Sequence, residues 1–289
     1  DDGASWTRVA EGVAASLGSL TWNSSSLPSS PLALWRVQDE DEPGVEAVSE
    51  IHVVLHNGPV HYDVNDESSD GDVYCGGALG NAAHTGTAPD SPKRWVSEIA
   101  ETYNLEPGDV IHVDTGYYYA PAATTFGDLD AGGLTQNADQ QVKVEGSTNG
   151  SVYIMTDPSA NGFQAINTYG LRFSRLGIIG ASNGLYVSGS EYVAGDWLKV
   201  RGCQNGVFSG GASSNLVLTH SALVGNRNAG IAISGSSSKQ NWVDLGSCLL
   251  WSNRYGLHLN GAYASISDSI VGMKGPESFG FYVLSDLPY

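Results

Sequence analysis

Asn161-Gly162-Phe163, Asn183-Gly184-Leu185, Asn205-Gly206-Val207, Ala229-Gly230-Ile231, Tyr255-Gly256-Leu257 and Phe279-Gly280-Phe281 repeat one local pattern. In each, a glycine opens an apolar-x-apolar triplet, and the glycines recur at intervals of 22, 22, 24, 26 and 24 residues. Several triplets close on a second glycine, as in Val187-Ser188-Gly189, Ile233-Ser234-Gly235 and Leu259-Asn260-Gly261. A second apolar pair precedes each anchor, for example Leu176/Ile178, Leu198/Val200, Leu223/Val224 and Leu249/Leu250. A third run comes earlier still: Leu171/Phe173, Leu216/Leu218, Trp242/Val243 and Ile266. Each unit therefore holds three short strands separated by turns. Strands this short form no independent sheet. Stacked coil on coil, each pairs with its copies above and below, and the inward residues merge into one core. No unit carries the 3.6-residue periodicity of a helical solenoid, and a propeller blade needs about 40 residues. The expectation is an all-β protein ending in a right-handed parallel β-helix.

The turn residues agree. Asn tolerates left-handed backbone, and Gly takes positive φ without steric cost. Asn161, Asn183 and Asn205 would stack as a hydrogen-bonded amide ladder. The ladder would stop at Ala229, with Asn228 and Asn253 as candidate replacements. Strand alternation turns the first and third residues after each anchor inward and the second outward. The outward column reads Gln164, Tyr186, Phe208, Ala232, His258 and Tyr282. Rings spaced along a rod can stack on sugar faces. They are equally ordinary stabilisers of such a rod. Tyr186, Phe208, His258 and Tyr282 are the candidate ligand-binding residues.

Before the repeat, Ser91-Pro92 reads as an N-cap and first helical position. Trp95, Val96, Ile99, Ala100 and Tyr103 then share one helical face. Glu106-Pro107-Gly108-Asp109 is a stop, Val110, Ile111 and Val113 a strand, and Asp114-Thr115-Gly116 a turn into Tyr117-Tyr118-Tyr119. Pro92…Trp95…Ile99, Pro107-Gly108-Asp109-Val110-Ile111-His112-Val113 and Gly116-Tyr117 resemble the N-terminal cap of secreted right-handed β-helix proteins, the pectate-lyase-like superfamily. Val64-Asn65-Asp66 and Gly80-Asn81-Ala82…Gly86-Thr87 fit the loop leading into such caps. The resemblance extends from about residue 60 to the end. It implies fold and an extracellular setting. It does not choose among the lyases, glycosidases, epimerases and surface proteins that share the fold.

Residues 1–57 differ. Gly3-Ala4-Ser5-Trp6, Leu20-Thr21-Trp22-Asn23, Leu34-Trp35-Arg36-Val37 and Ile51-His52-Val53-Val54-Leu55 read as short antiparallel strands. The acidic turn Asp39-Glu40-Asp41-Glu42-Pro43-Gly44 lies among them. The pattern resembles the end of an immunoglobulin- or fibronectin-like module, with too few strands for a full sandwich. The expected organisation is a partial β-sandwich over 1–57, a linker, acidic loop and helix cap over 58–124, and the β-helix over 125–289.

With 31 Asp+Glu against 13 Lys+Arg, the chain carries a net charge of −18. That excludes phosphate-driven binding of nucleic acid, and no apolar run is long enough to insert into a membrane. Asp63, Asp66, Asp70 and Asp72 crowd one loop that lacks EF-hand spacing, which offers a calcium site. The competing reading is a solvated acidic loop. Cys75, Cys203 and Cys248 have no zinc spacing, and the last two fit buried packing positions.

Lyase chemistry needs a base and cations, and Arg227 and Arg254 fall in turns of adjacent coils, three and two residues before their glycines. Glycosidase chemistry needs paired carboxylates. Asp244 and Asp268 both lie 12 residues before a glycine and are expected to stack. Solvated side chains are the competing reading for both pairs. The strings typical of polygalacturonases and alginate epimerases are absent. The balance favours a non-catalytic segment of a large extracellular protein, a rigid spacer or adhesive rod that takes glycans on its aromatic column. The alternatives are a polysaccharide lyase or glycoside hydrolase, and a subunit that stacks on itself. The last repeat reaches Gly280 only nine residues before Tyr289, so an open rung, covered by flanking domains or self-association, is expected.

Overall fold

The computed structural model describes residues 6–49, 53–55, 57–129, 140–235, 241–273, 275 and 277–284. It divides into two compact units, Asp1–Val60 and His61–Tyr289.

The second unit is a parallel β-solenoid built from three sheets, to which each coil gives one strand. Sheet I holds His61–Val64, Val110–Val113, Val142–Gly146, Tyr169–Ser174, Glu191–Asp196, Leu216–Thr219, Asn241–Gly246 and Ala262–Ser267. Sheet II holds Gly116–Ala120, Ser151–Met155, Leu176–Ile179, Lys199–Arg201, Ala222–Val224, Leu249–Asn253 and Ile270–Met273. Sheet III holds Thr124–Gly127, Phe163–Ile166, Asn183–Ser188, Asn205–Gly210, Ala229–Ser234, Tyr255–Asn260 and Phe279–Leu284. The coil thus starts well before residue 125. Val110–Val113 and Gly116–Ala120 already belong to its sheets, and His61–Val64 pairs in parallel with Val110–Val113.

The core is columnar. Leu185 lies on Val207 and Val207 on Ile231 in register, all buried. Larger rings fill the earlier coils: Tyr118 stacks on Tyr153 at 4.9 Å, and Phe163 meets Phe173 at 5.2 Å. Burying each such side chain stabilises the fold by roughly 1.5–3 kcal/mol. The anchor glycines do not serve positive φ, since none adopts it. They serve close approach. A Cβ on Gly162 would sit 2.6 Å from the carbonyl of Gly184, and one on Gly206 would sit 2.5 Å from that of Gly230. Any side chain would push successive coils apart.

The amide ladder forms and continues. Asn183 donates to Asn161, Asn205 to Asn183 and Asn228 to Asn205, each at 2.8 Å. Asn253 belongs to a second, buried ladder, accepting from the Asn226 amide at 3.1 Å. Both ladders run along the turns and strand ends that lead into sheet III.

The helix is shorter than expected, spanning Val96–Thr102. Ser91–Arg94 cannot join it because that backbone is already committed to the strand beside it. Lys93 N–H donates to Asp63 O, and Asn65 N–H to Lys93 O, both at 2.9 Å. Glu98 reaches back to the N–H groups of Arg94 and Trp95 and satisfies the helix start. Val96 and Ile99 are fully buried over the first coil, and Val96 N–H meets the Tyr153 hydroxyl at 3.4 Å.

In the first unit the described residues form two antiparallel pairs, Ser30–Ala33 with Val53–Leu55 and Arg36–Gln38 with Glu46–Val48. The acidic segment is the turn of the second pair, with Asp39 accepting from the N–H of Asp41 and Glu42. Leu20–Asn23, expected as a strand, is irregular. Gly3–Ser5, Ile51 and His52 lie outside the described residues, as do Asp286 and Tyr289. Two isolated pairs do not make a sandwich.

Candidate glycan-binding surfaces

The outward column of sheet III is in register. Gln164 lies beside Tyr186, Tyr186 beside Phe208, Phe208 beside Ala232, Ala232 beside His258 and His258 beside Tyr282. The flanking residues point inward, as alternation requires. The rings are half-buried rather than free. Tyr186 and Phe208 are stacked, with centroids 5.5 Å apart and 5° between their planes. Buried Ala232 splits the column. Beyond it, His258 and Tyr282 pack with Tyr255 and Phe279, the Tyr255–Tyr282 centroids being 4.9 Å apart. Burial lowers the His258 pKa, and its Nε2 atom is enclosed without a partner among the described residues. The ring is half-buried within an aromatic cluster.

Arg227 and Arg254 fall on neighbouring coils. Each follows an asparagine of the second ladder, Asn226 and Asn253. Both are exposed, and the Arg254 guanidinium lies 5.1 Å over the Tyr255 ring. Asp244 and Asp268 do not stack. Asp244 lies beside Ser265, and its carboxylate accepts from the Trp242 indole at 2.7 Å. Asp268 sits past the strand end, in a left-handed bend with φ 49°. Counting back from the glycine fails because sheets I and II step by 21 residues here while sheet III steps by 24. The turn into sheet III absorbs the difference.

The acidic loop does not gather its carboxylates. Among the described residues no group of three His, Cys, Asp or Glu side chains is placed to hold a metal ion. Asp66 accepts from Ser68 N–H and Tyr117 N–H, both at 2.8 Å. Asp63 faces His112 at 3.4 Å, and Asp70 is exposed. Asp72 accepts from Asn65 at 2.9 Å; burial, with the charges of Asp114 and Asp66, raises its pKa. Asp114 anchors the loop, accepting from the N–H groups of Val73, Tyr74, Cys75 and Thr115 at 2.6–2.9 Å. Burial alone would raise its pKa, yet these donors outweigh burial and hold it below the ordinary carboxylate value. The loop is wrapped around the Asp114 carboxylate.

A cluster that the sequence reading missed lies where sheet I bends into sheet II. One left-handed residue makes that bend in each of five successive coils: Arg175, Trp197, His220, Ser247 and Asp268, with φ 54°, 55°, 48°, 54° and 49°. Each of the first four donates its N–H to the next coil. Trp197 is 55% exposed, yet stacks on His220 at 4.9 Å and 9°. Asp196 accepts from the Thr219 hydroxyl at 2.6 Å, faces His220 Nδ1 at 3.0 Å, and lies 3.6 Å from Arg172. Burial opposes its ionisation, but the bonds from Thr219 and His220 and the Arg172 charge leave its pKa lowered. Arg175 pairs with Glu145. The missed signal was a residue that interrupts alternation immediately before Leu176 and Leu198.

These coils can be set beside known folds. A rhamnogalacturonan lyase matches with a TM-score of 0.54 at 14% identity, over 73% of this chain and 56% of that one. The chain folds as a parallel β-helix like that lyase's. A pectate lyase, Pel9A, matches with a TM-score of 0.44 at 13% identity, over 73% of this chain and 64% of that one. The chain spans less than two thirds of either protein's length, and identity this low speaks to fold alone. No family model matches the chain, and no curated protein matches it in sequence. Among the described residues no helix is long and apolar enough to cross a membrane.

Proposed function

We propose that this chain is a polysaccharide-binding β-solenoid, a rigid segment of an extracellular protein that lays glycan along the outer face of sheet III. The observation that carries this is the Tyr186–Phe208 pair, two rings held parallel at 5.5 Å on consecutive coils. Because the two rings stack on each other, they offer a sugar their shared outer edge, an apolar ridge held by the coil spacing with little ordering cost left on the protein side. Arg227 and Arg254, exposed in the turns entering the same sheet, add cations at its edge. The fold shared with a rhamnogalacturonan lyase supports a carbohydrate setting. Affinity electrophoresis in gels holding rhamnogalacturonan, polygalacturonate or a neutral glucan tests it. The wild-type chain is expected to be retarded by at least one polymer, and the Tyr186→Ala/Phe208→Ala double variant by far less. Equal retardation of the two proteins sinks the column as the binding face.

A further inference from the structure

The bend between sheets I and II carries a different chemistry. Trp197 occupies a left-handed position, which costs a residue with a side chain roughly 1–2 kcal/mol. Ser247 and Asp268 fill the same position in other coils with smaller side chains. The chain instead holds a large indole there, half out in solvent and clamped flat on an imidazole.

The imidazole is itself oriented. Asp196 faces Nδ1 at 3.0 Å, and about half of the imidazole side chain is exposed. Because Thr219, His220 and Arg172 converge on one carboxylate, both His220 and Arg172 are fixed in place beside the indole. Lys199, two residues after Trp197 on the same coil, is exposed on sheet II. In a chain of net charge −18, Arg172 and Arg175 on one coil and Lys199 on the next lie at or beside this bend, Arg172 paired with Asp196 and Arg175 with Glu145. At physiological salt, charges beyond about 8 Å are largely screened, so the local cations decide what approaches.

We propose that this corner is a second binding site, for an acidic sugar. The pyranose ring packs against Trp197, and its carboxylate or sulfate is met by Arg172 and, with both ring nitrogens protonated, by the Nε2–H of His220. An indole supplies the apolar contact, and charge-assisted bonds from an oriented guanidinium and imidazole fix the anion. The site does not depend on the sheet III column, and different substitutions remove the two.

Calorimetry with the full chain at low ionic strength tests the site against polygalacturonate, heparin, dextran and poly-L-glutamate. Binding is expected for polygalacturonate, heparin or both; which one binds tells carboxylate from sulfate. Trp197→Asn removes the ring and leaves a residue that tolerates left-handed backbone, so folding is not the variable. It is expected to weaken binding about tenfold or more, which is about 1.4 kcal/mol. His220→Gln is expected to weaken it about fivefold. The proposal is overturned if neither acidic glycan binds, or if dextran or poly-L-glutamate binds as tightly as the acidic glycans. It is also overturned if Trp197→Asn stays within about twofold of wild type.

Discussion

The column on sheet III and the corner between sheets I and II present aromatic rings on the same coils, but they are made in opposite ways. On sheet III the rings sit inside strands, and alternation alone decides that they face outward. At the corner Trp197 and His220 each sit at a left-handed residue, and their direction is set by the bend. The column is accordingly regular, half-buried and sparing in charge. The corner is irregular, more exposed, and brings Arg172, Asp196, Trp197 and His220 together from three coils. In a solenoid, strands repeat a surface, whereas bends can vary it one residue at a time without disturbing the core.

The largest expected effect is one that abolishes the difference by damaging what both faces share. Leu218 is fully buried beneath the strand that leads to His220. Leu218→Ala is expected to cost about 2–5 kcal/mol, seen as a lower midpoint in denaturant unfolding, with both glycan activities falling together. Loss of one activity alone would mean that the coil tolerates a cavity and that the faces are structurally independent.

Asp114 tests the end of the solenoid next to neither face. Replacing it with Ala leaves four N–H groups without their acceptor, at a cost of about 1–3 kcal/mol. Its folded pKa is depressed, so its contribution is present above the unfolded value and is lost as pH falls through the folded one. Wild type should therefore lose stability on acidification faster than Asp114→Ala in thermal melts across pH 5 to 2, a range taken from ordinary carboxylate values of about 4. Parallel curves would count against that account.

The sharpest contrast comes from Trp197→Asn beside Tyr186→Ala/Phe208→Ala, each expected to cost about tenfold on its own ligand and little on the other's. A smaller effect is expected for the ladder. Asn183→Ala removes two amide contacts at the entrance to sheet III and should lower stability by about 1 kcal/mol. It should soften the column before the corner, which hydrogen exchange of Tyr186 against His220 would read.

Much of this was legible beforehand. The glycine-anchored triplets announced the coil, its inward residues and the first amide ladder, because alternation and turn chemistry act within a few residues. The anchor glycines were read for the wrong reason: the contact that forbids a Cβ at Gly184 comes from Gly206, a full coil away. The helix start was misread because Ser91 caps well only if its backbone is free, and Lys93 is already paired. The acidic loop carries a related lesson. Clustered carboxylates along the chain say nothing about whether backbone N–H groups will claim them first, as they do at Asp66 and Asp114.

The sequence by itself determined that this chain would wind into parallel coils and which side chains would line the interior, since both follow from a period of two and a repeating turn. Tertiary structure decided which residues of different coils meet. Asp244 faces Ser265 rather than Asp268, and Trp197 lies on His220, because hydrogen-bonded sheets keep a fixed step while the turns absorb every insertion. Register between coils is a property of the stacked whole, and the chemistry of both outer faces depends on it.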